Sequence, residues 1–369
     1  MKIGLLGHGV VGSGVRKIID EMNSDMEVAM ILVKNESEVT EKRITTNADM
    51  ILNRPDIDLI CECMGGLEPA HTFVKKAILN GKHVVTSNKK MLATFAEELF
   101  PLAKEHNVIL AYEACVGGGI PWIHELNHVN RLEPVRAFNG IFNGTTNYIL
   151  SRMQDEGKDF DEMLKEAQKA GYAEADPSDD IDGFDVRYKV ALSAMCAFDA
   201  YVKPEDIPTY GIRNILKQDT DYAKEHGYVI KLIGSGSINN GELTACVRPM
   251  LLKKNDLLSG VGLNFNGIQS VSDTLGPATY VGQGAGCLPT AHAVVQDILD
   301  VKAGINNHHE LEKMDVVTDK EVHDFYIRTT TPLNEEKIGE NTYLIHNMTY
   351  AALKTLVNDE KAFVAEVQK

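Results

Sequence analysis

The sequence has 369 residues, with 37 lysines and arginines against 53 aspartates and glutamates, so its formal net charge is −16. This balance excludes a general nucleic-acid-binding protein, because binding to phosphates needs clustered cations. Hydrophobic residues make up 44% of the chain and charged residues 24%, a globular composition, and the length favours two domains over one.

The first 120 residues alternate short apolar segments with amphipathic ones, which is typical of a parallel sheet with crossover helices. This part of the chain is predicted to be a Rossmann-type, doubly wound half-domain. The predicted strands are residues 3–6, 28–33, 59–63, 83–86 and 108–112. The predicted helices are residues 11–22, 70–80 and 93–106.

After residue 121 the sequence mixes helices with longer strands separated by Gly, Ser and Asn. Helical spacing of apolar residues predicts helices at 159–170, 184–197 and 289–301, and β-rich segments occupy 228–233 and 243–249. The fold class is therefore α/β: a doubly wound parallel sheet and a second, α+β domain built on a sheet.

A glycine-rich turn follows the first predicted strand directly. Residues 7–12 read Gly-His-Gly-Val-Val-Gly. In such a turn Gly7 permits the tight bend, Gly9 lets the backbone approach a pyrophosphate, and Gly12 permits close packing of the helix. Ser13 stands where a phosphate-binding loop of nucleotide hydrolases needs lysine. The segment predicts binding of a dinucleotide.

The end of the second predicted strand bears on the choice of coenzyme. The chain reads Val33-Lys34-Asn35-Glu36 there. Lys34 could attract a 2′-phosphate, whereas Glu36 could hold a free ribose hydroxyl. We expect NADP, with NAD use possible. The alternative is that Lys34 is only a solvated loop residue.

Residues 174–185 read EADPSDDIDGFD, with six acidic residues in twelve. An EF-hand is excluded, because aligning Gly183 with its sixth position puts Lys189 at the twelfth, where a glutamate is required. Lys189 lies four residues after Asp185 on a predicted helix, so both side chains point the same way. The pair is either a surface ion pair or an ammonium that exchanges a proton with an alcohol during hydride transfer.

Two further segments follow predicted strands. Lys89, in the segment VVTSNKK, lies at the carboxyl edge of the sheet, where doubly wound folds bind ligands; it could steer a nicotinamide or an anionic group, or be solvated. Residues 113–121 read EACVGGGIP. The Glu113 carboxylate and the exposed carbonyls could cage a hard cation, or the glycines could form an interdomain hinge.

The six cysteines are too sparse for a disulfide framework and are expected to be reduced and mostly buried. We see no targeting segment and no apolar stretch that would span a membrane. The sequence therefore predicts a cytoplasmic protein.

Taken together, these segments resemble homoserine dehydrogenase from residue 1 to about residue 305. The matching segments are GHGVVGSGV, VVTSNKK, YEACVGGGIP, FNGTTNYIL, YAEADPSDDIDGFDVRYK and GQGAGCLPTAHAVVQDI. The resemblance implies NAD(P)-dependent interconversion of L-homoserine and L-aspartate 4-semialdehyde, at the branch point toward threonine and methionine. It implies a dinucleotide-binding domain at 1–121 and about 284–305, a catalytic and oligomerisation domain at 122–283, and a tail of unknown role at 306–369.

The resemblance also implies roles for individual residues. Lys189 would be the acid/base, Glu174 and Asp185 would grip the substrate ammonium, and a lysine at position 89 would lie beside the nicotinamide. Further substrate-site residues would be Gly144, Thr145, Asp179 and Asp180. The coenzyme would be bound by Gly7, Gly9, Val10, Val11, Gly12, Lys34, Gly65, Lys89 and Gly286.

Three further expectations follow from the resemblance. A structural sodium ion would be bound at Glu113, Val116, Gly118 and Ile120. The protein would be a homodimer or homotetramer. Long members of the family carry a C-terminal regulatory ACT domain, and the 60 or so residues after 305 are too few for a complete copy, although Tyr326-Ile327-Arg328 is similar to its first strand.

Two rival functions are less well supported by the sequence. One is a phosphorylating semialdehyde dehydrogenase with Cys115 as its nucleophile. The other is a non-catalytic nucleotide sensor whose acidic loop contacts a partner protein.

Overall fold

Six short strands in the N-terminal part of the chain form a parallel sheet. They are β1 Lys2–Leu6, β2 Glu27–Leu32, β3 Ile44–Thr45, β4 Leu59–Glu62, β5 His83–Thr86 and β6 Leu110–Ala111. Their order in the sheet is β3-β2-β1-β4-β5-β6, which is that of a doubly wound fold. Most strand residues are buried, which explains why these strands read as apolar runs without alternation.

The computed structural model describes residues 1–306 and 309–369. The chain divides into two compact units. Unit 1 comprises Met1–Leu132, Met195–Tyr201 and Gln283–Glu312, and unit 2 comprises Glu133–Ala194, Val202–Gly282 and Lys313–Lys369. Residues 313–369, which the sequence left as a tail of unknown role, therefore pack into unit 2.

The helices that cover the parallel sheet carry their apolar residues toward it. Val15 of the helix Val10–Glu21 and Val294 of the helix Cys287–Lys302 join Ile3 and Leu59 of the strands in one buried cluster. The first five helices of the chain are α1 Val10–Glu21, α2 Asp49–Leu52, α3 Ala70–Leu79, α4 Lys89–Glu105 and α5 Trp122–Asn130.

The remaining elements follow in chain order. The helices are α6 Gly144–Glu156, α7 Phe160–Lys169, α8 Ser178–Ile181, α9 Phe184–Phe198, α10 Lys217–Glu225, α11 Cys287–Lys302 and α12 Tyr350–Leu356. The strands are β7 Val135–Ile141, β8 Ala200–Tyr201, β9 Tyr228–Asn239, β10 Glu242–Lys253, β11 Phe265–Ser272, β12 Gly276–Gln283, β13 Glu312–Lys313, β14 Val322–Arg328, β15 Lys337–Gly339, β16 Thr342–Thr349 and β17 Phe363–Val367.

Unit 2 is built on a nine-stranded sheet. Its strand order is β12-β11-β7-β9-β10-β17-β14-β16-β15. Neighbouring strands such as β9 and β10 pair antiparallel, whereas β10 and β17 pair in parallel. Strands of the C-terminal segment therefore continue the sheet that the middle of the chain begins.

The C-terminal segment from β14 to β17 runs strand, strand, strand, helix, strand. A ferredoxin-like unit runs β-α-β-β-α-β, and here no helix lies between β14 and β15. The segment therefore lacks the first helix of such a unit.

The α/β fold class predicted from the sequence is confirmed, and each helix expected after residue 121 is present within two residues of its predicted ends. Two details differ. The strand expected at 108–112 is reduced to Leu110–Ala111. The helix expected from residue 93 begins at Lys89, because Asn88 caps it by accepting a hydrogen bond from the Met91 N–H at 3.1 Å.

No helix in the described part of the chain combines the length and apolarity that crossing a bilayer requires.

Asp219 of α10 anchors the C-terminal segment to the rest of unit 2. Its buried carboxylate accepts hydrogen bonds from Arg328 Nε at 2.9 Å and the Tyr326 hydroxyl at 2.8 Å, both on β14. Removing one partner of a buried ion pair leaves the other charge uncompensated, which typically costs about 3–5 kcal/mol.

We therefore expect Asp219→Ala to lower the free energy of unfolding by about 3–5 kcal/mol in chemical denaturation. Asp221→Ala on the same helix is the control, because Asp221 pairs with Lys217 at the surface and exposed pairs contribute less than about 1 kcal/mol. Equal losses for the two variants would contradict the anchoring role.

Candidate active site

The turn after β1 has the geometry of a dinucleotide-binding loop. Gly7 has φ +95°, a left-handed conformation that favours glycine. A Cβ on Gly12 would lie 2.0 Å from the Gly7 carbonyl oxygen, so this position excludes any side chain. At Gly9, by contrast, an added Cβ would meet nothing within 4 Å. The open space lies at the N-terminus of α1, where Val10 and Val11 begin the helix and no acidic residue opposes an anion.

A second glycine turn, far along the chain, returns to this loop. Gly286 has φ +126° and immediately precedes α11. Cys287 Sγ lies 3.0 Å from the Val10 carbonyl oxygen, and a Cβ on Gly14 would lie 2.8 Å from the Ala291 Cβ. The close contact of α1 with α11 therefore requires glycine, and it brings Gly286 beside the coenzyme loop, as the resemblance implies.

The ends of β4 and β5 carry a polar network. The Thr86 hydroxyl donates to Glu62 at 2.6 Å, and Asn88 donates to the Gly66 carbonyl at 2.7 Å. Burial raises the pKa of Glu62. This network fixes the start of α4, where Lys89 is the first helical residue.

Gly65 and Lys34 also lie just beyond strands of this sheet. Gly65 has φ +77° and open space around it, and it follows β4. Lys34 is exposed after β2, and the neighbouring Glu36 accepts a hydrogen bond from the Thr46 hydroxyl. The Glu36 carboxylate is thus partly engaged within the protein, whereas Lys34 extends into solvent.

Lys189 and Asp185 form a buried ion pair in unit 2. The ammonium donates to Asp185 Oδ2 at 2.7 Å and to the Phe142 carbonyl at 2.6 Å. The two side chains are only 9% and 10% exposed. The contact expected from the i,i+4 spacing is confirmed, and the alternative of a surface ion pair is wrong, because α9 packs this face against the end of β7.

Asn143 links this pair to the short helix α8. Its amide donates to Asp185 Oδ2 at 2.8 Å and to Asp180 Oδ1 at 2.6 Å. Its oxygen accepts the Thr146 N–H at 2.8 Å and caps α6. Asp179 lies beside Asp180 in the first turn of α8 and is exposed. Asn143 is not among the residues predicted from the sequence, although an asparagine before Gly-Thr-Thr at a strand end is a helix N-cap signal.

Gly144 and Thr145 begin α6, directly after Asn143. A Cβ on Gly144 would lie 2.6 Å from the Asn264 carbonyl oxygen. The Thr145 hydroxyl donates to the Tyr172 carbonyl at 2.7 Å. Glu174 lies two residues after Tyr172 and is exposed. The structure therefore brings together Gly144, Thr145, Asp180, Asp185 and Lys189. Glu174 is exposed and is connected to this group through Tyr172, two residues earlier in the chain.

The predicted sodium site contains a carboxylate that already has partners. Glu113 is 2% exposed, and its oxygens accept the N–H groups of Ile123 at 3.1 Å and His124 at 2.7 Å. His124 Nδ1 lies 2.8 Å from the same carboxylate. A carboxylate surrounded by N–H donors does not fit as a cation ligand.

The main-chain positions of that site lie in the turn that follows Glu113. Val116 ends a single 3₁₀ turn, Gly118 has φ +59°, and the Ile120 N–H donates to the Gly117 carbonyl at 3.0 Å. No group of three or more His, Cys, Asp or Glu side chains within the described ranges is arranged to hold a metal ion.

Cys115 does not have the environment of a catalytic nucleophile. It is buried, its Sγ lies 3.4 Å from the Thr86 carbonyl, and burial raises the pKa of its thiol well above the ordinary value. A nucleophilic cysteine needs the opposite shift. The structure therefore gives no support to the phosphorylating semialdehyde dehydrogenase. All six cysteines are free, and four of them are buried.

His124 gives unit 1 a pH-dependent contact. Its hydrogen bond to Glu113 raises the pKa of His124 from 6.5 to about 9, although burial acts in the opposite direction. The other ring nitrogen lies 2.6 Å from Asp300 Oδ2. Because the pKa is raised on folding, the stabilisation is complete below pH 6.5 and is lost as the pH rises through about 9.

A shift of the His124 pKa from 6.5 to about 9 corresponds to roughly 3.5 kcal/mol at ~1.4 kcal/mol per pKa unit, and partial exposure of the ring reduces this value. We therefore expect His124→Gln to lower the free energy of unfolding by about 2–3 kcal/mol at pH 6 and by much less at pH 10. Denaturation of both proteins between pH 6 and 10 measures the difference. His128→Gln is the control, because His128 is an exposed residue of the same helix. A difference that stays constant over this range would contradict the assignment.

Comparisons with known proteins agree with this geometry. A family model described as homoserine dehydrogenase matches residues 121–299, and one described as homoserine dehydrogenase, NAD binding domain matches residues 7–113. The homoserine dehydrogenase of Synechocystis sp. is 41% identical over 330 residues, covering 85% of this chain and 76% of that protein. That of Bacillus subtilis is 36% identical over 314 residues, covering 82% and 72%.

Solved structures give the same result. A homoserine dehydrogenase from Thiobacillus denitrificans superposes with a TM-score of 0.90 at 30% identity, covering 100% of this chain and 98% of that one. That of S. aureus at pH 8.5 has a TM-score of 0.79 at 32% identity, with the same coverage. With its coenzyme loop, its buried Lys–Asp pair and these matches, the chain belongs to the homoserine dehydrogenase family of NAD(P)-dependent oxidoreductases that act on CH–OH groups.

Proposed function

We propose that the protein interconverts L-homoserine and L-aspartate 4-semialdehyde with NADP, and that Lys189 moves the proton. The observation that carries this proposal is the buried Lys189–Asp185 pair beside the Asn143-Gly144-Thr145 turn. A bound nicotinamide coenzyme supplies the hydride acceptor for oxidation and the hydride donor for reduction.

During oxidation the proton of the substrate hydroxyl moves to the neutral Lys189 amine, while a hydride leaves the carbon that carries this hydroxyl. During reduction the ammonium returns the proton to the carbonyl oxygen. Lysine amines ordinarily titrate near about 10.4, so oxidation is expected to be faster at alkaline pH and reduction to proceed at pH 7.

The acidic residues suit a substrate that carries an ammonium group. Asp185 is held by Asn143 and by Lys189, so its position is fixed before substrate arrives. We propose that Asp185 and Glu174 bind the substrate ammonium, that Gly144 and Thr145 contact the substrate, and that Asp179 and Asp180 support the pocket. Fixed contacts of this kind would hold the substrate in one orientation.

We expect Lys189→Ala to lower kcat about 100-fold or more in both directions, the usual loss when an acid/base group is removed. The assay follows absorbance of reduced nicotinamide in the presence of NADP and homoserine. Lys169→Ala, at an exposed lysine of α7, is the matched control. A folded Lys189→Ala enzyme with unchanged kcat would reject the role, and a wild-type protein without activity would favour a nucleotide sensor.

NADP is proposed over NAD because Lys34 is exposed after β2 while the carboxylate of Glu36 is engaged by Thr46. A hyperthermophilic archaeal homoserine dehydrogenase mutant, 26% identical with a TM-score of 0.72, was solved in complex with NADPH. The coenzyme would contact Gly7, Gly9, Gly12, Gly65, Lys89 and Gly286 as well.

Replacing Lys34 by Ala is expected to raise KM for NADP about tenfold. A charge-assisted hydrogen bond, here from Lys34 to the 2′-phosphate of NADP, contributes about 1.5–3 kcal/mol, and exposure to solvent places this one at the lower end. KM for NAD should change less than about twofold, because NAD lacks the 2′-phosphate. Lys42→Ala, at another exposed lysine after β2, serves as the control. A parallel rise of both KM values would exclude recognition of the 2′-phosphate.

We also propose assembly into a dimer or tetramer through unit 2. Its outer strand β12 lies at an edge of the nine-stranded sheet and exposes Val281. Unpaired strand edges with exposed apolar residues are typical contact surfaces.

A further inference from the structure

We propose that Asn266 is a positioning residue for Lys189 and acts through the main-chain carbonyl of Phe142. The proposal rests on the proton-transfer function proposed for Lys189 above. It concerns how that lysine is held in place, and it names a residue that does not itself touch the reacting atoms.

The Phe142 carbonyl accepts hydrogen bonds from two side chains. Lys189 Nζ lies 2.6 Å from the oxygen, and Asn266 Nδ2 lies 2.9 Å from it. Gly267 pairs with Ile141 across β11 and β7, so the strand register places Asn266 opposite Phe142. Because a carbonyl oxygen has two lone pairs, the asparagine fixes the direction in which this oxygen faces the lysine.

The other end of the Asn266 amide indicates that its donor group is needed. Asn266 is 0% exposed, and its Oδ1 is buried without a hydrogen-bond partner. A buried acceptor without a partner is destabilising, and an apolar residue would avoid this penalty. An asparagine at this position is therefore explained by its donor group, which reaches the Phe142 carbonyl.

A second layer holds Asn266 itself. Asn147 of α6 donates to the Phe265 carbonyl at 2.9 Å, directly before Asn266. Lys231 of β9 donates to Asn147 Oδ1 at 2.8 Å and to the Val261 carbonyl at 2.7 Å. Lys231 is 2% exposed, and burial lowers its pKa to about 8. The helix that begins with Gly144 and Thr145 is thus tied to the strand that positions the acid/base lysine.

The charged groups around Lys189 come from several elements. Asp185 lies on its own helix α9, Asp180 of α8 is joined to Asp185 by Asn143, and Lys231 of β9 lies beyond Asn147 in the network. The groups that approach from β7 and β11 are the neutral carbonyl of Phe142 and the neutral amide of Asn266. A charge introduced at residue 266 would therefore act on the ammonium across the Phe142 carbonyl, to which both side chains are hydrogen-bonded.

Two variants of Asn266 test the proposal by their effects on homoserine oxidation with NADP. Asn266→Leu keeps the branching and the number of side-chain heavy atoms and removes the donor. We expect kcat to fall about tenfold or more while KM for homoserine changes less than about threefold, because misplacing a catalytic group by ~1 Å costs up to 100-fold. Asn266→Asp keeps the shape but adds a negative charge, and an ionised carboxylate cannot donate to the Phe142 carbonyl. We therefore expect kcat to fall as in Asn266→Leu, and the rising limb of kcat against pH to move to higher pH by about one unit.

Asn139→Leu is the matched control. Asn139 also has a buried Oδ1 without a partner and lies on β7, but it lines a cavity of ≈ 230 Å³ that includes Arg248. Its replacement should leave kcat and the pH profile unchanged. Folding of each variant is checked by circular dichroism and thermal denaturation.

Lys189→Ala, measured in parallel, separates the two proposals. If Lys189→Ala loses activity while folded Asn266→Leu keeps the wild-type kcat and pH profile, the positioning role is overturned and the proposed function stands. If Lys189→Ala keeps its activity, the proposed function itself fails. If Asn266→Leu does not fold, an unshifted profile of Asn266→Asp overturns the role. If neither variant folds, a crystal structure of the wild-type enzyme with both ligands decides, and an Asn266 amide turned away from Phe142 refutes it.

Discussion

The Lys189 ammonium is buried, and a buried charge must be paired and hydrogen-bonded. Asp185 supplies the opposite charge from one helical turn away, and the Phe142 carbonyl supplies a second acceptor. This requirement determines the surroundings. The strand β7 must end beside α9, and Asn143 must lie close enough to hold Asp185 while it caps α6. The turn at Gly144 and Thr145 is therefore placed by the same contacts that allow the lysine to be buried.

Local patterns allowed part of this site to be predicted. The i,i+4 spacing gave the contact between Asp185 and Lys189, but not its burial, because burial depends on β7, which lies about 45 residues earlier in the chain. Asn143 could have been found from its helix-cap position. Asn266 could not, since its partner Phe142 is 124 residues away in the sequence and nothing near Asn266 indicates the contact.

The same distinction holds for the fold. The parallel sheet followed from apolar runs and glycine turns, and the structure confirms it. The place of the C-terminal segment did not follow, because the pairing of β17 with β10 joins residues more than 110 positions apart. The return of Gly286 to the coenzyme loop was expected only through the family resemblance. In the structure, α1 and α11 approach each other closely at Gly14, and this close packing brings the start of α11 to the loop.

Strand β17 lies inside the nine-stranded sheet, between β10 and β14, although it is the last of these strands to leave the ribosome. Until it is made, the edge of β10 has no neighbour on that side, and unpaired edges of long strands promote association between nascent chains. Pairing along that edge of β10 is therefore possible only after β17 has been synthesised.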